Sequence, residues 1–197
     1  MSPSPLLTLP GEIRNQIYAL LLCNIPALGQ PRPLLDPQQI HPQILSVCRQ
    51  LHHEVTPILY AHNTFLAHFS LLSALPQLRR WHDPVKSAPL ISLIRRYHVY
   101  VRLDCDAHFS DAAAAEAFSG VETLTVEAVQ TQFGSSDFAV LRRFEGVRGV
   151  GTVRITGSDF GFREYARWLE GVMMSPVGVV LEEFEEGKER EEVGEEL

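Results

Sequence analysis

Four polar residues, Asp104, Asp106, His108 and Asp111, crowd the end of a strand-like run at 97–103. Alternation along an extended segment places Asp104, Asp106 and His108 on one side, a donor arrangement that oxygen-loving cations accept. The carboxyl end of a parallel strand is also where open α/β sheets hold ligands. A metal-dependent or hydrolytic enzyme is therefore one function class. The competing reading, a polar loop whose Asp111 caps the next helix, asks less of the residues. The eight histidines add no metal pattern. His52 and His53 point to different sides of a helix, and His53-Glu54 lacks the second histidine of H-E-x-x-H. Gly146, Gly149 and Gly151 follow a helical segment and precede a strand, the reverse of a dinucleotide-binding loop, so they are expected to form a turn. No G-x-S-x-G surrounds a serine. No catalytic residue, metal ligand or cofactor is expected.

Recognition chemistry is better supplied. Along 97–103, Val99, Val101 and Leu103 alternate with His98, Tyr100, Arg102 and Asp104. Leu124 and Val126 alternate with Thr123, Thr125 and Glu127, and Val153 and Ile155 with Arg154 and Thr156. In neighbouring strands the polar sets would lie side by side, so Tyr100, Arg102, Thr125, Glu127 and Arg154 are candidate partner-binding residues. Aromatic and arginine side chains commonly anchor protein interfaces. A solvated sheet face is the alternative.

The elements that must position these residues follow from the same patterns. From Thr64 onward strand and helix alternate. Strands are expected over 64–69, 97–103, 122–128, 152–156 and 177–181. Helices are expected over 71–82 with an interruption near Pro76, then over 89–95, 111–118, 137–144 and 162–174. Ser110 or Asp111 would cap the Ala-rich helix and Gly120 would end it. Such an order implies α/β architecture with a parallel sheet and right-handed crossovers. Because the strands alternate rather than being apolar throughout, helices are expected mainly on one face. Strand centres recur at about 25 to 29 residues, within the range of leucine-rich repeats. The expectation is a short, degenerate, leucine-rich-repeat-like array, with an ordinary open α/β sheet as the alternative.

Before Thr64 the chain is helical. Ile13, Ile17, Leu20 and Leu21 fall on one helical face, Pro10 suits the first helical position, and Glu12 the first turn. Tyr18, Leu22 and Cys23 make this helix apolar almost all round, which calls for burial on more than one side. Ile44, Cys48, Leu51, Val55, Ile58 and Leu59 continue a second face, where Pro57 predicts a kink or break. Between the two segments, residues 24–41 form a Pro-rich insertion.

The residues of these helices resemble a known family. L-P-x-E-I-R-x-x-I-Y at 9–18 and V-C-R at 47–49 resemble the F-box. The likeness is closer to F-box-like proteins of filamentous fungi, which add I-L-x-x-C-R-Q-x-x-x-E (44–54) and L-Y-x-x-N-x-F (59–65). The resemblance covers about the first third of the chain, and the usual tryptophan after V-C-R is missing. It implies a helical module at 1–63 that docks a Skp-type adaptor of a cullin-RING ubiquitin ligase, with Leu9, Pro10, Ile13, Ile17 and Val47 at the contact. The region 64–181 would then select a protein substrate. A scaffold without adaptor binding is the other form of the same reading.

Composition narrows the remaining classes. The formal charge of −7 comes wholly from 182–197, where nine glutamates face Lys188 and Arg190. The balanced remainder offers no basic field for nucleic acid, and the acidic segment is expected to be solvated and disordered. No apolar run approaches the roughly 20 residues that span a bilayer. Cys23, Cys48 and Cys105 form no C-x-x-C pair. A reducing intracellular compartment, cytoplasmic or nuclear, is expected.

Overall fold

The computed structural model describes residues 4–23, 40–80, 82–130, 138–157, 162–179 and 183–184. Most of the insertion at 24–41 and nearly all of the acidic segment at 182–197 lie outside the described residues.

Helix α1 (Gly11–Leu22) and helix α2 (Arg49–His62) each follow a 3-10 turn, Pro5–Thr8 and Pro42–Ser46. Pro10 stands one residue before its expected place, and its carbonyl accepts the amide of Arg14 at 3.1 Å. The stripe that α1 turns inward is Tyr18 and Leu22, both without exposed surface. Ile13 is 42% exposed and Leu20 76%, so the face expected to pack is largely the outer one. The reason lies in the polar residues, because Arg14 and Tyr18 both bond Glu54 on α2 and so fix the rotation of α1. Leu51, Val55 and Leu59 of α2 close this small core, with Leu6, Leu7, Leu21, Ile44 and Ile58 at its margin.

Two further expectations fail on α2. Cys48 is an exposed, extended residue at the helix start rather than part of the buried stripe. The break into two shorter helices expected at Pro57 does not occur, since α2 continues through it. Pro57 and His53 are both exposed. The carbonyl that loses its amide donor is therefore open to hydration.

Asn63 ends α2, and strand β1 (Thr64–His68) starts at the next residue. Strand β2 (Leu72–Gln77) returns antiparallel at the sheet edge, where a helix was expected over 71–82. Pro76 is compatible with this because an edge strand needs no donor on its free side. His68 pins the turn, its Nδ1 accepting the amides of Ser70 and Leu71 at 3.2 and 3.1 Å. Leu72 follows at a φ of 49°, a conformation uncommon for leucine, with its side chain buried.

After a single turn, α3 (Ala88–Ile91), strands β3 (Arg96–Arg102), β4 (Thr123–Val129) and β5 (Thr152–Gly157) run parallel to one another, and β3 runs parallel to β1. The order is β2-β1-β3-β4-β5, a mixed and mostly parallel sheet. Helix α4 (Asp111–Phe118) is capped by Ser110, whose hydroxyl accepts the Ala113 amide at 3.2 Å. A 3-10 turn (Leu141–Phe144) replaces the helix expected at 137–144, and α5 (Arg163–Met174) closes the array. The last expected strand is absent over Val177–Val179, where Gly178 at φ 91° turns the chain; residues 180–181 lie outside the described set.

Register explains the core. Phe65, Tyr97, Leu124 and Val153 form one row, and Val99, Val126 and Ile155 the next. These rows pack with Phe118 of α4, Leu141 and Phe144 of the 3-10 turn, and Tyr165, Leu169 and Met173 of α5. Tyr60 and Leu78 touch both this core and that of α1 and α2. The turn before β5 is glycine-rich because successive backbones meet there. A Cβ on Gly151 would lie 2.8 Å from the carbonyl oxygen of Glu122.

Candidate functional site

The sheet face away from α4 and α5 carries the candidate recognition residues. His98, Thr125 and Arg154 share one register row, and Tyr100, Glu127 and Thr156 the next. Arg102 pairs with Val129 at the end of the β3–β4 ladder. Tyr100, Thr125, Glu127 and Arg154 are thus brought together on one surface, with Arg102 at its rim.

This face is less open than alternation alone implies. Leu66 and His98 are buried on it. The His98 ring lies 4.6 Å from that of Tyr100, and its Nε2 is 3.0 Å from the Glu127 carboxylate. Burial holds His98 below its ordinary pKa although Glu127 pulls the other way. At neutral pH the contact is therefore a hydrogen bond from a neutral ring to a carboxylate. Burial and the Glu127 charge push the Tyr100 phenol up, against the opposing charge of Arg80. His98 belongs with the candidate residues, and its place in the polar half of β3 was the signal for it.

The two arginines differ. Arg154 makes no ion pair among the described residues and is exposed. Arg102 donates from Nη2 and Nε to Asp104 at 2.9 and 3.2 Å, and the Asp104 side chain is only 10% exposed. Arg154→Glu is expected to leave stability within about 0.5 kcal/mol, as for surface exchanges away from special features. Arg102→Glu should cost clearly more, because it sets a second carboxylate against a mostly buried one. Urea denaturation of both variants at neutral pH checks this, and equal midpoints would show that the Arg102 pair does not shape the strand end.

The acidic cluster does not converge. Asp104 is taken by Arg102, and Asp111 at the start of α4 binds Arg143 at 2.7 Å. Asp106 is exposed, and the His108 ring lies edge-on to Phe69 at 5.9 Å. Among the described residues no three His, Cys, Asp or Glu side chains are grouped to hold a metal ion. Asp106 and His108 instead line a cavity of about 320 Å³ with Phe69, Tyr100, Cys105 and Phe109.

The motif residues of the helical part have a different geometry. Arg14 bonds both carboxylate oxygens of Glu54, at 3.0 and 2.7 Å, and the carbonyl of Leu9 at 2.7 Å. Tyr18 and Gln50 donate to the same carboxylate at 2.8 and 3.0 Å. The polar positions of the two motif halves thus meet in one network, which periodicity of apolar residues does not reveal. Hydrogen bonds from Arg14, Gln50 and Tyr18 hold the Glu54 carboxyl down to about 2, from an ordinary 4.5. A depressed carboxyl stabilises the fold fully above its unfolded pKa and stops doing so as pH falls through the folded one. Glu54→Gln should therefore lower the melting temperature at pH 7, and its deficit against the parent chain should shrink between pH 4.5 and about 2. Calorimetric melts across that window test it; a deficit independent of pH would place the effect in packing alone.

Of the proposed docking residues, Ile13, Pro10 and Val47 are exposed and Leu9 and Ile17 half-buried. Among the described residues no helix is long and apolar enough to cross a membrane. Compared with models of protein families, with curated proteins and with solved structures, the chain gives no match.

Proposed function

We propose that the chain is a non-enzymatic interaction protein of the F-box-like type, in which the helical part docks a Skp-type adaptor and the sheet face selects a protein substrate. The observation that supports this most is the inside-out arrangement of α1. Ile13 and Leu20 lie on its outer side, and Val47, 67% exposed, stands in the turn before α2. The internal core accounts for Tyr18 and Leu22 and leaves these apolar side chains unused. Burying them against a partner would contribute about 25 cal/mol for each Å² of apolar surface removed from water. The near-constant register spacing of β3, β4 and β5 fits a degenerate leucine-rich-repeat-like array, whose polar face presents Tyr100, Thr125, Glu127 and Arg154. The setting proposed is cytoplasmic or nuclear, where such ligases work. Co-expression with a Skp-type adaptor and size-exclusion chromatography is the test. A co-eluting complex supports the reading, and separate elution at tens of micromolar removes adaptor docking and leaves a scaffold.

A further inference from the structure

After residue 179 two residues, Glu183 and Phe184, are described. The Phe184 ring stands edge-on to Tyr165 at 5.1 Å, with Trp168 at 5.7 Å and Phe138 at 6.2 Å. These three rings form a preformed cradle. Phe138 stacks on Tyr165 at 4.1 Å, Tyr165 tilts against Trp168 at 5.5 Å, and the Tyr165 hydroxyl donates to Glu145 Oε1 at 2.6 Å.

Two features exceed what packing one phenylalanine requires. A cavity of about 320 Å³ remains at the cradle, lined also by Arg142, Arg148, Val172, Glu145 and the chain's own Glu183. Both arginines lack a carboxylate partner among the described residues. Arg142 lies over the Phe138 ring at 5.1 Å, and Arg148 donates to the backbone carbonyls of Glu145 and Val147. The occupant matches this chemistry, because Phe184 is the only aromatic residue after Trp168 and stands within Glu182-Glu183-Phe184-Glu185-Glu186. An aromatic ring fits the floor and flanking carboxylates fit the cationic rim, the pairing of anchor and charge that gives short peptides both affinity and register.

We propose that the cradle of Phe138, Tyr165 and Trp168, edged by Arg142 and Arg148, is a docking site for acidic peptide segments of partner proteins anchored by one aromatic ring. The chain's own Glu183 and Phe184 occupy it as an intramolecular competitor. This site is separate from the α1 face and the sheet face, and does not depend on adaptor docking. A tethered occupant acts at an effective concentration of order millimolar, so a partner segment binds visibly only when it outcompetes Phe184 or when Phe184 is withdrawn.

The test uses the full chain and a fluorescein-labelled peptide with the sequence of residues 179–190. By fluorescence anisotropy the Phe184→Ala chain should bind this peptide at least about tenfold more tightly than the parent chain, because the competitor is gone. Replacing the peptide's phenylalanine by alanine should abolish binding. Adding Arg148→Glu to the Phe184→Ala chain should weaken it about tenfold and reduce its salt dependence. A second readout needs no variant: millimolar unlabelled peptide should shift the Trp168 indole resonance of the parent chain by displacing Phe184. The proposal is overturned if the Phe184→Ala chain, folded by circular dichroism, binds no peptide. It is equally overturned if the alanine peptide binds as well, or if the Trp168 resonance stays fixed at saturating peptide.

Discussion

Tyr18→Ala is expected to cost about 3–5 kcal/mol of stability, while Leu20→Ala, two residues along the same helix, stays within about 0.5 kcal/mol. Tyr18 has no exposed surface, packs between α1 and α2, and donates its hydroxyl to Glu54. Its truncation leaves a cavity and removes one of the donors that keep the Glu54 carboxylate comfortable. Leu20 touches little, so shortening it removes little. Guanidinium denaturation read by circular dichroism separates the two. Similar losses for both variants would mean that α1 is rotated otherwise and that Leu20 belongs to the core.

Asn63→Leu should cost about 2 to 4 kcal/mol although the two side chains have the same branching and number of heavy atoms. Asn63 is buried, and its Nδ2 donates at 2.8 Å to the carbonyls of both Leu22 and Leu59, the last turns of α1 and α2. Leucine leaves both acceptors buried without that donor, at about 1–3 kcal/mol for each group so stranded. Because β1 begins at the next residue, this one amide also fixes where the helical part meets the sheet. The expected signature is a loss at neutral pH for Asn63→Asp at least as large as for Asn63→Leu, because aspartate replaces the shared donor by a buried carboxylate facing two carbonyl oxygens. Were leucine to melt with the parent chain, the clamp would be replaceable by water.

Much of the sheet was legible because period-two alternation is a local signal. β3, β4 and β5 lie within a residue or two of their expected bounds, and the polar halves of these strands form the rows inferred for them. The Ser110 cap of α4 was legible for the same reason. What failed depended on distant partners. β2 has the leucine spacing of a helix, and only pairing with β1 and a turn held by His68 make it a strand. The rotation of α1 was misread because Ile13, Ile17 and Leu20 are the more regular apolar stripe, whereas the face that packs is chosen by Arg14 and Tyr18 reaching a carboxylate forty and thirty-six residues away. His98 was named among the polar half of β3 but not as a site residue, since alternation does not tell that its neighbour Leu66 is also covered.

The division of labour between the outer face of α1 and the sheet is tested most directly by isothermal titration of a purified Skp-type adaptor into the full chain. The parent chain should bind with a Kd in the micromolar range or tighter, and Arg154→Glu should bind the adaptor unchanged. Ile13→Asp combined with Leu20→Asp should lose binding by at least about a hundredfold, since each carboxylate must be desolvated at the contact. The same double variant should keep the parent's circular dichroism spectrum, because both positions are exposed in the free chain. Binding that survives the double exchange, or no heat of binding with the parent chain, would contradict the docking role of α1.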